Sequence, residues 1–196
     1  MRGTSDIDLF ISLKSDTTNS LKEIYNMLDS KLKSNGLTTR RQNVSIGITY
    51  NGLDIDLVPG KVQSGYTNYH SIYVSKKDTW MQTNVKANID LVTSSNRISE
   101  ILLGKIWRKL HALDFPSVYL EFTFIQALKY KSNGDLANNF YSALQFLQDS
   151  FVENIISDPS NTNNTISDTL SSSEKKAIKT AAEESLSKRT WGEIVW

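Results

Sequence analysis

Two pairs of aspartates carry the chemistry that can be read from this sequence. Asp6 and Asp8 sit two residues apart in Asp6-Ile7-Asp8-Leu9-Phe10-Ile11-Ser12-Leu13. Asp54 and Asp56 repeat that spacing in Leu53-Asp54-Ile55-Asp56-Leu57-Val58. Side chains at i and i+2 of a strand point to the same face, so each pair projects two carboxylates together. Adjacent anions repel, and the usual reasons for keeping them together are a bound cation or a shared proton. Hard divalent ions such as Mg2+ take oxygen ligands and leave positions for water and substrate phosphates. If the two strands are neighbours, the carboxylates meet on one surface. Two metal ions about 4 Å apart can then clamp an in-line displacement at phosphorus. One ion would lower the pKa of an attacking hydroxyl and the other would neutralise charge on leaving pyrophosphate. Asp56 would accept the proton of the nucleophile. A competing reading, in which the acids simply face water on a half-exposed sheet, stands beside this one on periodicity alone.

The elements that must position these acids follow from hydrophobic period and turn chemistry. Residues 6–13 alternate as a strand, with Ile7, Leu9, Ile11 and Leu13 on one face and Asp6, Asp8, Phe10 and Ser12 on the other. A helix is expected from about Asn19 to Ser34, with Leu21, Ile24, Leu28 and Leu32 as its apolar stripe and Asn35-Gly36 closing it. Val44 to Tyr50 and Leu53 to Val58 read as two strands joined by Asn51-Gly52, the preferred pair for a type I′ hairpin turn, with Pro59-Gly60 ending the second. The polar stretch 60–96 reads as a loop with short elements. Beyond it, Ile98, Ile101, Leu102, Ile106 and Leu110 mark a helix. A second helix opens at Pro116 and runs to about Lys131, and a third is capped by Asp135 and runs through Phe151. Ser171 and Glu174 form a capping box for a last helix through about Lys188, after an Asn-, Ser- and Thr-rich loop over 157–170. Strands with one helix, then helices alone, predict an α+β fold: a mixed lobe over 1–92 and an α-helical lobe over 93–196. Trp107, Trp191 and Trp196 are expected to pack the helical lobe.

Composition removes several classes of function. The chain has 196 residues, enough for one large domain or two small lobes. With no cysteine, disulfides, thiolate zinc sites and cysteine nucleophiles are excluded. A net charge of +1 argues against a stable grip on nucleic-acid backbone but leaves small anions such as nucleoside triphosphates open. The local basic clusters, Arg40 with Arg41 and Lys105 with Arg108 and Lys109, read first as solvated surface. His70 and His111 lack a second ligand at metal spacing. No P-loop, Rossmann glycine pattern or Gly-x-Ser-x-Gly elbow occurs. No signal peptide or membrane span is read, which points to the cytoplasm.

Gly3-Thr4-Ser5-Asp6-Ile7-Asp8-Leu9-Phe10, followed by Asp54-Ile55-Asp56-Leu57-Val58-Pro59, resembles the polymerase-β-like nucleotidyltransferases. Within them it is most similar to the bacterial CD-NTases, relatives of oligoadenylate synthetase and cyclic GMP-AMP synthase. The similarity continues through Leu102-Leu103-Gly104-Lys105-Ile106-Trp107-Arg108, Phe115-Pro116-Ser117-Val118-Tyr119-Leu120-Glu121, and Asp158-Pro159 with Asn161 and Asn164. It thus covers nearly the whole chain in order. The resemblance implies that Asp6 and Asp8 are the first two metal-binding aspartates and that Asp56, directly before Leu-Val-Pro, is the third. Asp54 then has no family role. Lys105 and Ser117 match positions that contact the donor triphosphate, and Ser5, beside Asp6, is counted with them. Two Mg2+ or Mn2+ ions, nucleoside triphosphate substrates, a cyclic or linear oligonucleotide product, a role in antiphage defence and a regulatory protein partner are all implied in the same way. Two departures stand out. The Gly-Ser turn that relatives carry upstream of the first aspartate is absent, so the lobe reads as N-terminally truncated, and Asn88 stands where relatives often carry His. A nucleotide-binding remnant without turnover and an RNA-terminal nucleotidyltransferase therefore remain as alternatives.

Overall fold

Asn51 and Gly52 both adopt positive φ, 50° and 77°, as a type I′ turn requires. Around this turn the expected hairpin forms. The computed structural model describes residues 7–65, 68–159 and 161–195, and Ser5, Asp6 and Trp196 lie outside them. The architecture is mixed α+β, as the element order predicted. Two compact units divide the chain, one up to Lys86 and one from Ala87 onward.

The first unit is built on β1 (Ile7–Leu13), α1 (Leu21–Ser34), β2 (Thr39–Arg41), β3 (Ile46–Tyr50), β4 (Leu53–Val62), β5 (His70–Val74) and β6 (Thr79–Thr83). Strands β2 to β6 are hydrogen-bonded in sequence order, all antiparallel, and β1 pairs with β4 in parallel. Helix α1 begins at Leu21, two residues after the expected start, and ends at Ser34 as expected. The Ser20 hydroxyl accepts from the Glu23 amide and the Glu23 carboxylate accepts from the Ser20 amide, a complete capping box. Its Tyr25 packs with Ile46 and Tyr73, joined by Leu21, Leu28 and Leu32. The Tyr25 hydroxyl donates to the carbonyl oxygens of Gln42 and Ser45, tying the helix to the start of β3.

Two expectations for this unit are corrected. Pro59-Gly60 does not end β4, which runs on to Val62. A proline lacks only its N–H and still accepts through its carbonyl. Gly60 supplies room for Phe10, whose Cζ would lie 2.5 Å from any Cβ there. The polar stretch 60–96, expected as a loop with short elements, holds more regular structure than that. It contains the antiparallel pair β5 and β6, with His70 opposite Thr83 and Val74 opposite Thr79. It ends in helix α2 (Val85–Ser94), which includes the division between the units and buries none of its residues fully.

The second unit consists of α3 (Ile98–Leu110), α4 (Ser117–Ala127), α5 (Leu136–Asp149), a small hairpin of β7 (Ser157–Asp158) and β8 (Asn161–Thr165), α6 (Ser172–Leu186) and α7 (Gly192–Val195), following the end of α2. The Asn-, Ser- and Thr-rich loop thus pairs with itself. The caps hold where sequence places them: Asp135 accepts from the Asn138 amide, and Ser171 with Glu174 forms a capping box. The core is aromatic, with Trp107, Phe115, Tyr119, Phe124, Phe140 and Phe151 fully buried. Trp107 donates from Nε1 to Ser185 Oγ at 2.8 Å. Trp191 touches the Phe140 ring but stays more than a third exposed. On α3 the buried side is Ile101, Gly104 and Trp107, whereas Ile98, Leu102, Ile106 and Leu110 are about half exposed. Pro116 sits at the N-cap of α4 rather than inside its first turn, and α4 ends at Ala127.

Candidate active site

Parallel pairing of β1 with β4 sets Asp8 opposite Asp56 in register. The same strand pairs antiparallel with β3 on its other edge, placing Gly47 opposite Asp56 and Thr49 opposite Asp54. Register partners point to one face of a sheet. Asp8, Asp54, Asp56, Gly47 and Thr49 therefore share a face. Ile46, on the other face, is packed against Tyr25 of α1. The carboxylates thus lie on the side of the sheet opposite α1. Asp8 is exposed there, and Asp54 and Asp56 are half-buried.

The two acids of β4 have different neighbours. Asp56 Oδ1 accepts a hydrogen bond from Gln42 Nε2 at 2.9 Å. Asp54 Oδ1 accepts from Thr49 Oγ1 at 2.8 Å and lies 3.5 Å from Arg40 Nη2. Arg40 also donates from Nη1 to Thr49 Oγ1 at 3.0 Å. Asp54 thus lies within reach of a guanidinium, and Asp56 is bonded by the Gln42 amide. Arg40, read from sequence as solvated surface, instead balances charge on this face.

Two residues that sequence reasoning passed over shape this surface. Gln42 follows β2 and reaches across to Asp56. Gly47 lies beneath that contact: a Cβ there would stand 2.9 Å from Asp56 Oδ1, 3.0 Å from Gln42 Nε2 and 3.2 Å from Arg40 Nη2. A glycine inside an otherwise alternating strand was the available signal, since it marks a close approach.

The donor set of Asp8 and Asp56 is all oxygen and anionic, which suits a hard divalent cation such as Mg2+ or Mn2+. Among the described residues no three His, Cys, Asp or Glu side chains converge as a ligand group. Asp6, expected from sequence as a further ligand, lies outside them, as does Ser5. The remaining expected residues belong to the second unit. Lys105 of α3 pairs with Glu121 of α4 at 2.6 Å. Ser117 Oγ accepts from Arg108 Nη1 at 3.1 Å, and the same guanidinium nitrogen donates to the Phe115 carbonyl at 2.7 Å. Both are thus held at the facing ends and sides of α3 and α4. Gly104 makes that approach possible, because a Cβ there would fall 2.6 Å from the Phe124 ring.

Arranged this way, the chain superposes on Escherichia coli MS115-1 CdnC solved with ATP, with TM-score 0.66 and 19% identity over 94% of this chain and 70% of that one. The chain has the CD-NTase fold. A comparable match to the Bradyrhizobium diazoefficiens CD-NTase CdnG in complex with GTP has TM-score 0.67 and 14% identity, covering the whole of this chain and 77% of CdnG. Vibrio cholerae DncV, a cyclic AMP-GMP synthase solved with a linear intermediate, matches with TM-score 0.63 and 15% identity over 94% of this chain. The chain spans only 58% of that protein. CdnC also occurs in a complex with HORMA-deltaN. Neither the family models nor the curated proteins give a match. Among the described residues no helix is long and apolar enough to cross a membrane.

Proposed function

We propose that this chain is a nucleotidyltransferase that joins nucleoside triphosphates into cyclic or linear oligonucleotides, working through carboxylate-bound Mg2+ or Mn2+. The observation that carries the proposal is the in-register pairing of Asp8 with Asp56 across parallel strands of a CD-NTase fold. Two carboxylates fixed opposite one another repel, and a bound cation would offset that repulsion.

Asp8 and Asp56 hold the metal, with Asp6 as the further ligand expected from sequence. When bound, the ion supplies Lewis-acid activation of the attacking hydroxyl and neutralises charge on the leaving group. The chain's own groups do the rest. A substrate hydroxyl oxygen forms a bond to the α-phosphorus, the bond from that phosphorus to the bridging oxygen breaks, and pyrophosphate leaves with the bond's electron pair. Asp56, half-buried and oriented by Gln42, takes the hydroxyl proton. Lys105, Ser117 and Ser5 contact the donor triphosphate in this account. For Lys105 this requires phosphate oxygens to compete with Glu121 for the ammonium group. The ATP and GTP bound to CdnC and CdnG support triphosphate substrates here, and the HORMA complex of CdnC supports a regulatory protein partner. A role in antiphage defence rests on the sequence resemblance.

Incubation with α-labelled ATP and GTP and either metal, followed by phosphatase treatment and chromatography, tests the reading. Labelled product that survives phosphatase is the expected result. A thermal shift with ATP or GTP but no product would leave a nucleotide-binding protein without turnover. Extension of added RNA ends would replace the oligonucleotide synthase reading with an RNA-terminal one.

A further inference from the structure

We infer that Gln42 is a positioning residue for Asp56, and that Gly47 is the residue that allows it to be one. This rests on the metal-site reading above and adds two residues that neither the acid pattern nor the family resemblance assigns.

Gln42 is fixed from both ends. Its backbone amide donates to the Ser45 carbonyl at 3.0 Å, and its carbonyl accepts from the Tyr25 hydroxyl at 2.6 Å and from Ser75 Oγ at 2.9 Å. Its side-chain oxygen Oε1 accepts from Ser45 Oγ at 2.8 Å. Ser45 is buried, at 4% exposure, so that donor is itself held. An amide whose oxygen is engaged by a donor presents its NH2 group to the other side. Here that group meets Asp56 Oδ1 at 2.9 Å. The chain of contacts runs from a buried hydroxyl, through a neutral amide, to one oxygen of the carboxylate. It sets the rotation of the Asp56 carboxyl plane without adding charge.

Gly47 completes the device. The amide and the carboxylate meet directly over its Cα, in the space a Cβ would occupy. Any other residue type would push apart the two atoms that must touch. Both atoms are the ends of side chains rather than backbone, so the displacement falls on the contact and spares the strand. Metal ligands oriented in this way lose about 10- to 100-fold in affinity when the outer partner is removed.

The test is Mn2+ binding to the whole chain, followed by the electron paramagnetic resonance signal of the free ion. Wild type is compared with Gln42→Ala, Gly47→Ala and Asp56→Ala, and each unfolding temperature is measured in metal-free buffer. Asp56→Ala is expected to lose binding. Gln42→Ala and Gly47→Ala are expected to bind at least about 10-fold more weakly while each still unfolds cooperatively in metal-free buffer. Binding in wild type that Asp56→Ala leaves untouched would contradict the site itself. Loss in Asp56→Ala with full-strength binding in both Gln42→Ala and Gly47→Ala would overturn the positioning role alone.

Discussion

Asp8 and Asp56 face one another across parallel strands, one residue of each strand paired in register with the other. Their like charges repel one another. Asp8→Asn removes that repulsion while keeping size and shape. In chelator the variant should unfold at a slightly higher temperature than wild type, by a fraction of about 1 kcal/mol for an exposed pair of charges. Added Mn2+ should raise the unfolding temperature of wild type and leave the variant where it was. A variant that is destabilised in chelator, or that still responds to Mn2+, would argue against a cation held between these strands.

Packing along the same face gives a second expectation. Phe10, two residues beyond Asp8, lies over Gly60, with Ile72 also within 3.0 Å of the position a Cβ would take. Gly60→Ala should destabilise the first unit by about 1–3 kcal/mol, the usual cost of overpacking. Phe10→Leu in the same chain removes the atom at 2.5 Å and should recover part of the loss. Equilibrium denaturation of the single and double variants measures both.

Gly104 gives the matching case in the second unit. Three atoms of the Phe124 ring lie 2.6 to 3.2 Å from the position of an added Cβ. Phe124 is fully buried and cannot move aside. Gly104→Ala should therefore cost about 1–3 kcal/mol, despite alanine's better helix propensity of roughly 1 kcal/mol. A variant more stable than wild type in thermal unfolding would show that helix propensity outweighs the clash.

Acid sensitivity should concentrate at Asp29. The Thr39 hydroxyl, with Lys33 and Arg41, holds this buried carboxyl down to about 2, against an ordinary value near 3.8. The bonds are short: 2.6 Å from Thr39, 3.0 Å from Lys33 and 2.9 Å from Arg41. A depressed folded-state pKa means that the stabilisation is fully present above about pH 4. It is lost as pH falls through the window from about 4 to 2. Asp29→Asn should be less stable than wild type at neutral pH by about 1–3 kcal/mol, the scale of hydrogen bonds to a charged group. The difference should close as acid is added. A gap that stays constant down to pH 2 would mean that the carboxylate charge contributes nothing.

Much of this fold is written in short-range signals. The Asn51-Gly52 turn, the two capping boxes at Ser20 and Ser171, and the Asp135 cap each act within four residues, and each is formed. Pairing between distant strands has no such local sign. The join of β1 to β4 depends on register, which periodicity alone leaves open. Strands β5 and β6 were hidden because Ser71, Lys76, Lys77 and Gln82 make the stretch polar overall, although Ile72, Tyr73 and Val74 are buried. On α3, apolar residues occupy both sides, so the buried side was not legible until Gly104 was seen against Phe124. The acids of the candidate site stood out by type and spacing. Gln42 did not, because an exposed glutamine has no pattern until its partner is known.

The most direct test of the metal-bound carboxylates as the reaction centre is pyrophosphate release from ATP and GTP with Mn2+, measured for wild type and Asp56→Asn at equal folded concentration. Wild type should release pyrophosphate steadily and the variant should release none above background. Equal release from the two proteins would contradict that assignment of the reaction centre.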